Sequence, residues 1–157
     1  MNKSEFMSLI RTERQRWEEL LARVPPERME TPGVTGDWSV KDLIAHISWH
    51  EREMVGLVRA RALVGSELWN LPVDERNAAI FKQHRQLSLK EALAEADRVY
   101  PEMMAELEKL SDEDLNDPAR FPGMPPDWQP WSVIASNTYE HYQDHILELR
   151  EWLSQPR

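Results

Sequence analysis

The sequence predicts an all-α protein built as a four-helix bundle. Apolar residues recur at spacings of three and four along four separate stretches, the mark of one buried face on a helix. Helix-capping patterns open two of them: Ser39 with Asp42, and Ser88 with Glu91. No β pattern competes, because the chain has no sustained alternation, no Asn-Gly hairpin and no glycine-rich phosphate loop. Four long amphipathic helices with two long links argue for a bundle, whose sites are built from inward side chains of facing helices.

The first helix is read over residues 4–24, with Phe6, Ile10, Trp17, Leu21 and Val24 inward, and Pro25 and Pro26 end it. The second is read over 39–64. Leu43, His46, Ile47, His50, Met54, Leu57 and Val58 form its apolar side, and Gly65 closes it. Residues 66–87 are expected to be an ordered link anchored by Trp69, Leu71 and Val73. Within it Pro72 starts a short helix through Asn77, Ile80 and Phe81, with His84 facing solvent near its end. The third helix is read over 89–110, with Leu93, Ala96, Tyr100, Met103, Leu107 and Leu110 inward, and Pro101 predicts a kink or local bulge. Ser111 to Leu115 reads as one capped turn. Residues 116–130 form a proline-rich link expected to pack on the bundle through Phe121 and Trp128. The last helix is read as continuous over 132–153. It opens on Trp131-Ser132-Val133, an echo of Trp38-Ser39-Val40 that capping logic explains better than duplication.

A length of 157 residues suits a single domain over 1–157 with one core. A formal net charge of −9 argues against a nucleic-acid groove, which needs a basic face. The chain has no cysteine, which excludes disulfides, thiolate ligands and a cysteine nucleophile. Any metal must then be held by imidazole, carboxylate or water, a set that fits zinc, nickel, iron or manganese. The first residues lack an apolar signal core, and no run reaches the length of a membrane span. The expectation is a soluble cytoplasmic protein with no nucleic-acid or membrane partner.

The stretch Asn137–Trp152 carries the chemistry. His141 and His145 stand four apart on a stripe shared by Ile134, Thr138, Leu149 and Trp152. Residues so spaced have Cβ atoms about 5–6 Å apart, and two same-face imidazoles can bind one metal ion. Two histidines hydrogen-bonded inside a bundle would show the same spacing. His46 lies about two turns into helix two and converges with the pair if helices two and four are neighbours with level starts. His50, one turn on, is the rival: it can replace His46, shuttle a proton or border the site. Three histidines and an open position make a catalytic rather than a structural metal arrangement.

On Trp38-Ser39-Val40-Lys41-Asp42-Leu43-Ile44-Ala45-His46 and Asn137-Thr138-Tyr139-Glu140-His141-Tyr142-Gln143-Asp144-His145, the chain resembles the DinB/YfiT-like superfamily. The middle, from Asp74 to Ile80 and on to Ser111–Leu115, is similar to the ClbS/DfsB-type branch. The resemblance implies an up-down-down-up bundle, often a homodimer. It implies a divalent metal, zinc or nickel, on His46, His141 and His145. Some relatives are transferases or isomerases that use a low-molecular-weight thiol (bacillithiol, mycothiol or glutathione). Others are stress-associated, and a ClbS-like one opens a reactive cyclopropane in a genotoxin. Fold-level likeness predicts such a site better than its substrate.

Asp42, Glu53, Glu140, Asp144 and Glu148 are candidate acceptors for ligand N–H groups, or solvated helix charges. Trp49, Trp69, Trp128 and Tyr142 are candidate pocket walls, or packing. Two functions follow. One is a metal-dependent enzyme, a thiol S-transferase or a hydrolase acting on a small reactive electrophile. The other is a non-catalytic metal or small-molecule binder used in stress protection.

Overall fold

The computed structural model describes residues 1–156. In chain order its α-helices are α1 (Lys3–Leu21), α2 (Val40–Ala60), α3 (Val73–His84), α4 (Leu89–Leu107), α5 (Asp112–Asn116), α6 (Pro130–Ser136) and α7 (Tyr139–Ser154). Among the described residues there is no strand, only an isolated bridge between Thr35 and Trp38. Helices α1, α2, α4 and α7 form the bundle, and the short helices sit in the links.

Long-range pairs fix the directions. Arg52 meets Glu95 and Arg59 meets Glu102 and Glu106, so α2 and α4 run the same way. Phe6 packs on Tyr139, and Arg28, just beyond α1, lies over the Trp152 ring, so α1 and α7 also share a direction. Arg11 with Glu108 and Arg14 over Tyr100 set α1 against α4. The bundle is therefore up-down-down-up, and the link holding α3 is the crossover that lets α2 and α4 run parallel.

The ends follow local chemistry. The Ser39 side chain accepts from the Asp42 amide and Asp42 returns to the Ser39 amide, which completes the capping box of α2; Ser88 with Glu91 does the same for α4. Helix α2 stops at Ala60, four residues short of the expected end, and its cap is Arg61 in the left-handed region (φ 51°) rather than Gly65. Gly65 serves close approach instead: a Cβ there would lie 2.8 Å from Glu53 Oε1 and 2.9 Å from the Trp69 ring. Helix α1 ends at Leu21 and α4 at Leu107, each three residues before the sequence expectation.

The expected continuous last helix is broken between α6 and α7. The Asn137 amide bonds the Ile134 carbonyl and the Thr138 amide that of Ala135, three residues back in each case. Thr138 then leaves helical geometry (φ −128°, ψ −103°). Its hydroxyl donates to the Ile134 carbonyl and Asn137 Nδ2 to that of Val133, so side chains take over carbonyls that the helix would have used.

The core runs the length of the bundle through Phe6, Ile10, Trp17, Leu43, Ile44, Leu57, Met103, Leu107 and Leu149. Phe121 is wholly buried, so the proline-rich link is anchored as expected, whereas Trp128 is 44% exposed and is no anchor. On α4 the inward residues include Ala92 and Val99, while Leu93 is exposed. One charged group crosses the core. Arg14 Nη1 donates to Glu51 Oε2 (2.8 Å), which also accepts from the Tyr142 hydroxyl (2.6 Å). Burial pushes the Glu51 carboxyl up against the pull of Arg14 and Tyr142.

Candidate metal centre

Four imidazoles meet where α2 crosses the junction of α6 and α7. His46 and His50 face inward one turn apart on α2, and His141 and His145 do so on the first turns of α7. The two helices run antiparallel, which corrects the level-starts expectation: His50 meets Asn137 at the helix break, and His46 meets His141. His46 Nε2 lies 3.1 Å from His141 Nε2, and His145 Nε2 lies 2.9 Å from the same atom. The rings of His50 and His141 are 4.2 Å apart between centroids. All four side chains are buried.

Burial sets the charge. It drives the His46 ring down to about 2, helped by the neighbouring imidazoles, and His50 down to about 4 against the Asn137 hydrogen bond. His141 is lowered well below the ordinary value for the same reason. These three rings are neutral at pH 7, as metal ligands must be.

Second partners orient two of the rings and fix the tautomer of His50. Asn137 Nδ2 donates to the Val133 carbonyl, so its Oδ1 is the atom facing His50 Nδ1 at 2.7 Å. His50 therefore carries its proton on Nδ1 and presents a bare Nε2. His145 Nδ1 donates to Glu148 Oε2 at 2.8 Å, which turns Nε2 toward His141. Burial pushes Glu148 up, but the hydrogen bonds from His145 and Thr35 outweigh it and leave the carboxyl lowered.

These residues fit a divalent ion. Two nitrogens about 2.1 Å from one tetrahedral ion lie about 3.4 Å apart, so the contacts of 3.1 and 2.9 Å at His141 Nε2 are of that order and slightly tighter. His50 Nε2 is buried without a hydrogen-bond partner, a shortfall that packed-core polar groups rarely show; the Nδ1 atoms of His46 and His141 are also unpartnered, but they are the ring nitrogens that do not make the Nε2 contacts. His46, His50 and His141 each offer a donor atom within 4.8 Å of the others. The structure thus groups His46, His50 and His141 as mutually close donors, with His145 lying against His141.

Other sequence candidates fall elsewhere. Asp42 caps α2, and Glu140 and Asp144 are exposed. Glu53 serves no histidine; its Oε1 accepts from Trp69 Nε1 (2.6 Å) and the Ser66 amide (2.5 Å). Trp49 and Trp69 do wall the centre, with rings 5.0 and 5.6 Å from that of His50. Trp38, read from sequence as a helix start rather than a wall, packs edge-on to His46 at 5.0 Å. Tyr142 points to Glu51 and does not line the groove beside the histidines. His84 is partly buried and bonds the Ile80 carbonyl. Asn137 was missed as a site residue, because it is ordinary in a helix read as continuous.

Residues 9–149 match the DinB superfamily. The chain belongs to the DinB superfamily. A relative within reach of this DinB chain is a Bacillus licheniformis protein named as a putative metal-dependent hydrolase, 25% identical over 130 residues, covering 82% of this chain and 72% of that one. Among solved structures, a Streptococcus pneumoniae protein superposes with a TM-score of 0.82 at 17% identity, over 98% of this chain and 91% of the other. The colibactin self-resistance protein ClbS, in complex with a double-stranded DNA, superposes with a TM-score of 0.81 at 15% identity, over 99% and 98%. DfsB, a sibling lethal factor precursor, gives 0.77 at 17% identity, over 98% and 95%. At these identities the likeness speaks for the fold alone. The DNA in the ClbS structure bears on the expectation that this chain has no nucleic-acid partner. Among the described residues no helix is long and apolar enough to cross a membrane.

Proposed function

We propose that this DinB chain is a divalent-metal-dependent enzyme, a hydrolase acting on a small reactive electrophile, with the ion held by His46, His141 and His145. One observation carries the reading: buried imidazoles whose Nε2 atoms stand 2.9 and 3.1 Å apart around His141. The name of the Bacillus licheniformis relative supports the hydrolase class. When bound, such an ion, zinc or nickel, acts as a Lewis acid toward a substrate oxygen or a water.

The chain's own residues orient and move protons. Glu148 holds the His145 Nδ1–H and so aims Nε2 inward. Asn137 holds the His50 Nδ1–H and leaves Nε2 as a proton acceptor beside the triad. Trp38 packs against the His46 ring, and Trp49 and Trp69 against that of His50, which fixes these imidazoles in place. A homodimer and the absence of a nucleic-acid partner belong to the same reading, the second supported by the net charge of −9. Sedimentation at high micromolar concentration and a duplex-DNA gel shift test them.

Elemental analysis of the purified protein tests the centre. About one equivalent of divalent metal per chain is expected, retained in His50→Ala and lost in His141→Ala. Full metal in a His141→Ala/His145→Ala double variant overturns the reading. Loss in His50→Ala with retention in His145→Ala would move the ligand set to His46, His50 and His141.

A further inference from the structure

An open groove of about 950 Å³ runs beside the histidine cluster, between the end of α2, the turn after it and the start of α6. Two of its lining residues, Trp69 and Asn137, both touch His50, so the groove meets the cluster at that ring. Its wall carries the indoles of Trp69, Trp128 and Trp131. Trp69 is held in place by Glu53, and Gly65 leaves room for that contact. The charge on the lining has one sign: Glu67 and Asp127 are present, and no lysine, arginine or histidine lines the groove. Among the described residues neither acid has an ion-pair or hydrogen-bonding side-chain partner, and both are exposed. Arg76 lies nearby but is stacked on the Trp69 ring, 4.8 Å from its centroid, and is not a lining residue.

We propose that this groove binds a small organic cation, an amine-bearing molecule with an aromatic or aliphatic body, and discriminates against carboxylate-bearing molecules, glutathione included. Indole faces attract cations as well as burying apolar surface, and the two acids favour an ammonium and repel a carboxylate. An anion would meet two carboxylates on the wall, while Arg76, stacked on Trp69 with its Nε unpartnered, stands beside the groove without lining it. The assignment rests on the metal-centre reading for what is done to the ligand, but not for its binding.

Titration calorimetry on the full-length chain tests this with a matched pair, 2-naphthylmethylamine and 2-naphthylacetate, and with reduced glutathione. It is run on protein as purified and after chelator treatment. The chelated protein separates the two readings, because the groove needs no ion there, while elemental analysis reads only the histidine cluster. The expected result in chelated protein is an amine bound at least about fivefold more tightly than the carboxylate, with no glutathione binding. Exposed charge contacts are worth a factor of this order. Glu67→Gln/Asp127→Asn should bring the pair to within about twofold. A control double variant at distant exposed acids, Glu19→Gln/Glu27→Gln, should leave the preference unchanged, which excludes a general effect of the net charge. A carboxylate or glutathione bound as tightly as the amine overturns the proposal. So does a preference that survives Glu67→Gln/Asp127→Asn, and so does failure of the amine to bind.

Discussion

At the scale of single residues, buried neutral imidazoles make the metal-free protein sensitive to acid. His46 falls from 6.5 to about 2 on folding, and His50 from 6.5 to about 4. Between those values the unfolded chain binds protons that the folded chain does not, so stability drops as pH falls below about 6.5. The His50 contribution levels off near 4, and that of His46 continues toward 2. Each histidine is worth roughly 1.4 kcal/mol per pH unit inside its window. Denaturant unfolding of chelated protein should therefore lose a few kcal/mol, in order of magnitude, between pH 6.5 and 5. The slope should flatten in a His46→Gln/His50→Gln variant, and equal slopes in the two proteins would refute the burial argument. Glu148 acts one step further out. Its carboxylate aims His145, and losing such a partner weakens metal binding roughly 10–100-fold, the loss expected in Glu148→Gln by metal titration.

At the scale of elements, the capping boxes and the break before α7 do most to place the site. Ser39→Ala removes the side-chain acceptor that closes the first turn of α2, seven residues before His46, and should cost about 1 kcal/mol in chemical unfolding. A cost near zero would mean that the end of α2 is held by its tertiary contacts alone. The four bundle helices were legible in the sequence because each buries one face, and burial writes a period of 3.6 into the residues. Their ends were less legible. The cap of α2 fell on Arg61 where a glycine was the natural expectation, since a left-handed φ normally selects glycine. The break at Asn137 and Thr138 left no trace, because Thr138 lies on the inward stripe and both residues are tolerated within helices. What breaks the helix is a set of side-chain bonds to Val133, Ile134 and His50, and the last is a tertiary contact. The inward facing of His46 on one helix and of His141 with His145 on another was legible from their spacing; how the helices bring them to one place was not, because the level starts that the spacing suggested give way to an antiparallel pair. The place of His50 was not, since it depends on Asn137 across an antiparallel pair of helices whose directions only long-range contacts reveal.

At the scale of the whole molecule, two buried features differ in what they do for the fold. Glu51 is wholly buried and Arg14 nearly so, with its Nε reaching the exposed Glu18, so removing Arg14 strips the Glu51 carboxyl of its cation in the core. Arg14→Ala should destabilise by roughly 3–5 kcal/mol, and an Arg14→Met/Glu51→Gln double variant by distinctly less, as thermal unfolding would show. The histidine centre lies beside the core rather than inside it. Phe6, Ile10, Trp17, Leu43, Leu57, Met103 and Leu107 pack along the bundle with no help from an imidazole. Helices that bury this much apolar surface do not need an ion as a staple. Chelation should therefore leave the far-ultraviolet circular dichroism spectrum unchanged while lowering the melting temperature. Free metal at a hundredfold excess over its dissociation constant stabilises the native state by about 2.7 kcal/mol. In a chain of this size each kcal/mol moves the melting temperature by roughly 2–4 °C. His141→Ala/His145→Ala should fold with the same helical spectrum and show no such shift when zinc or nickel is added. Collapse of the helical signal on chelation would make the centre structural, and an undiminished shift in the double variant would place the ion elsewhere.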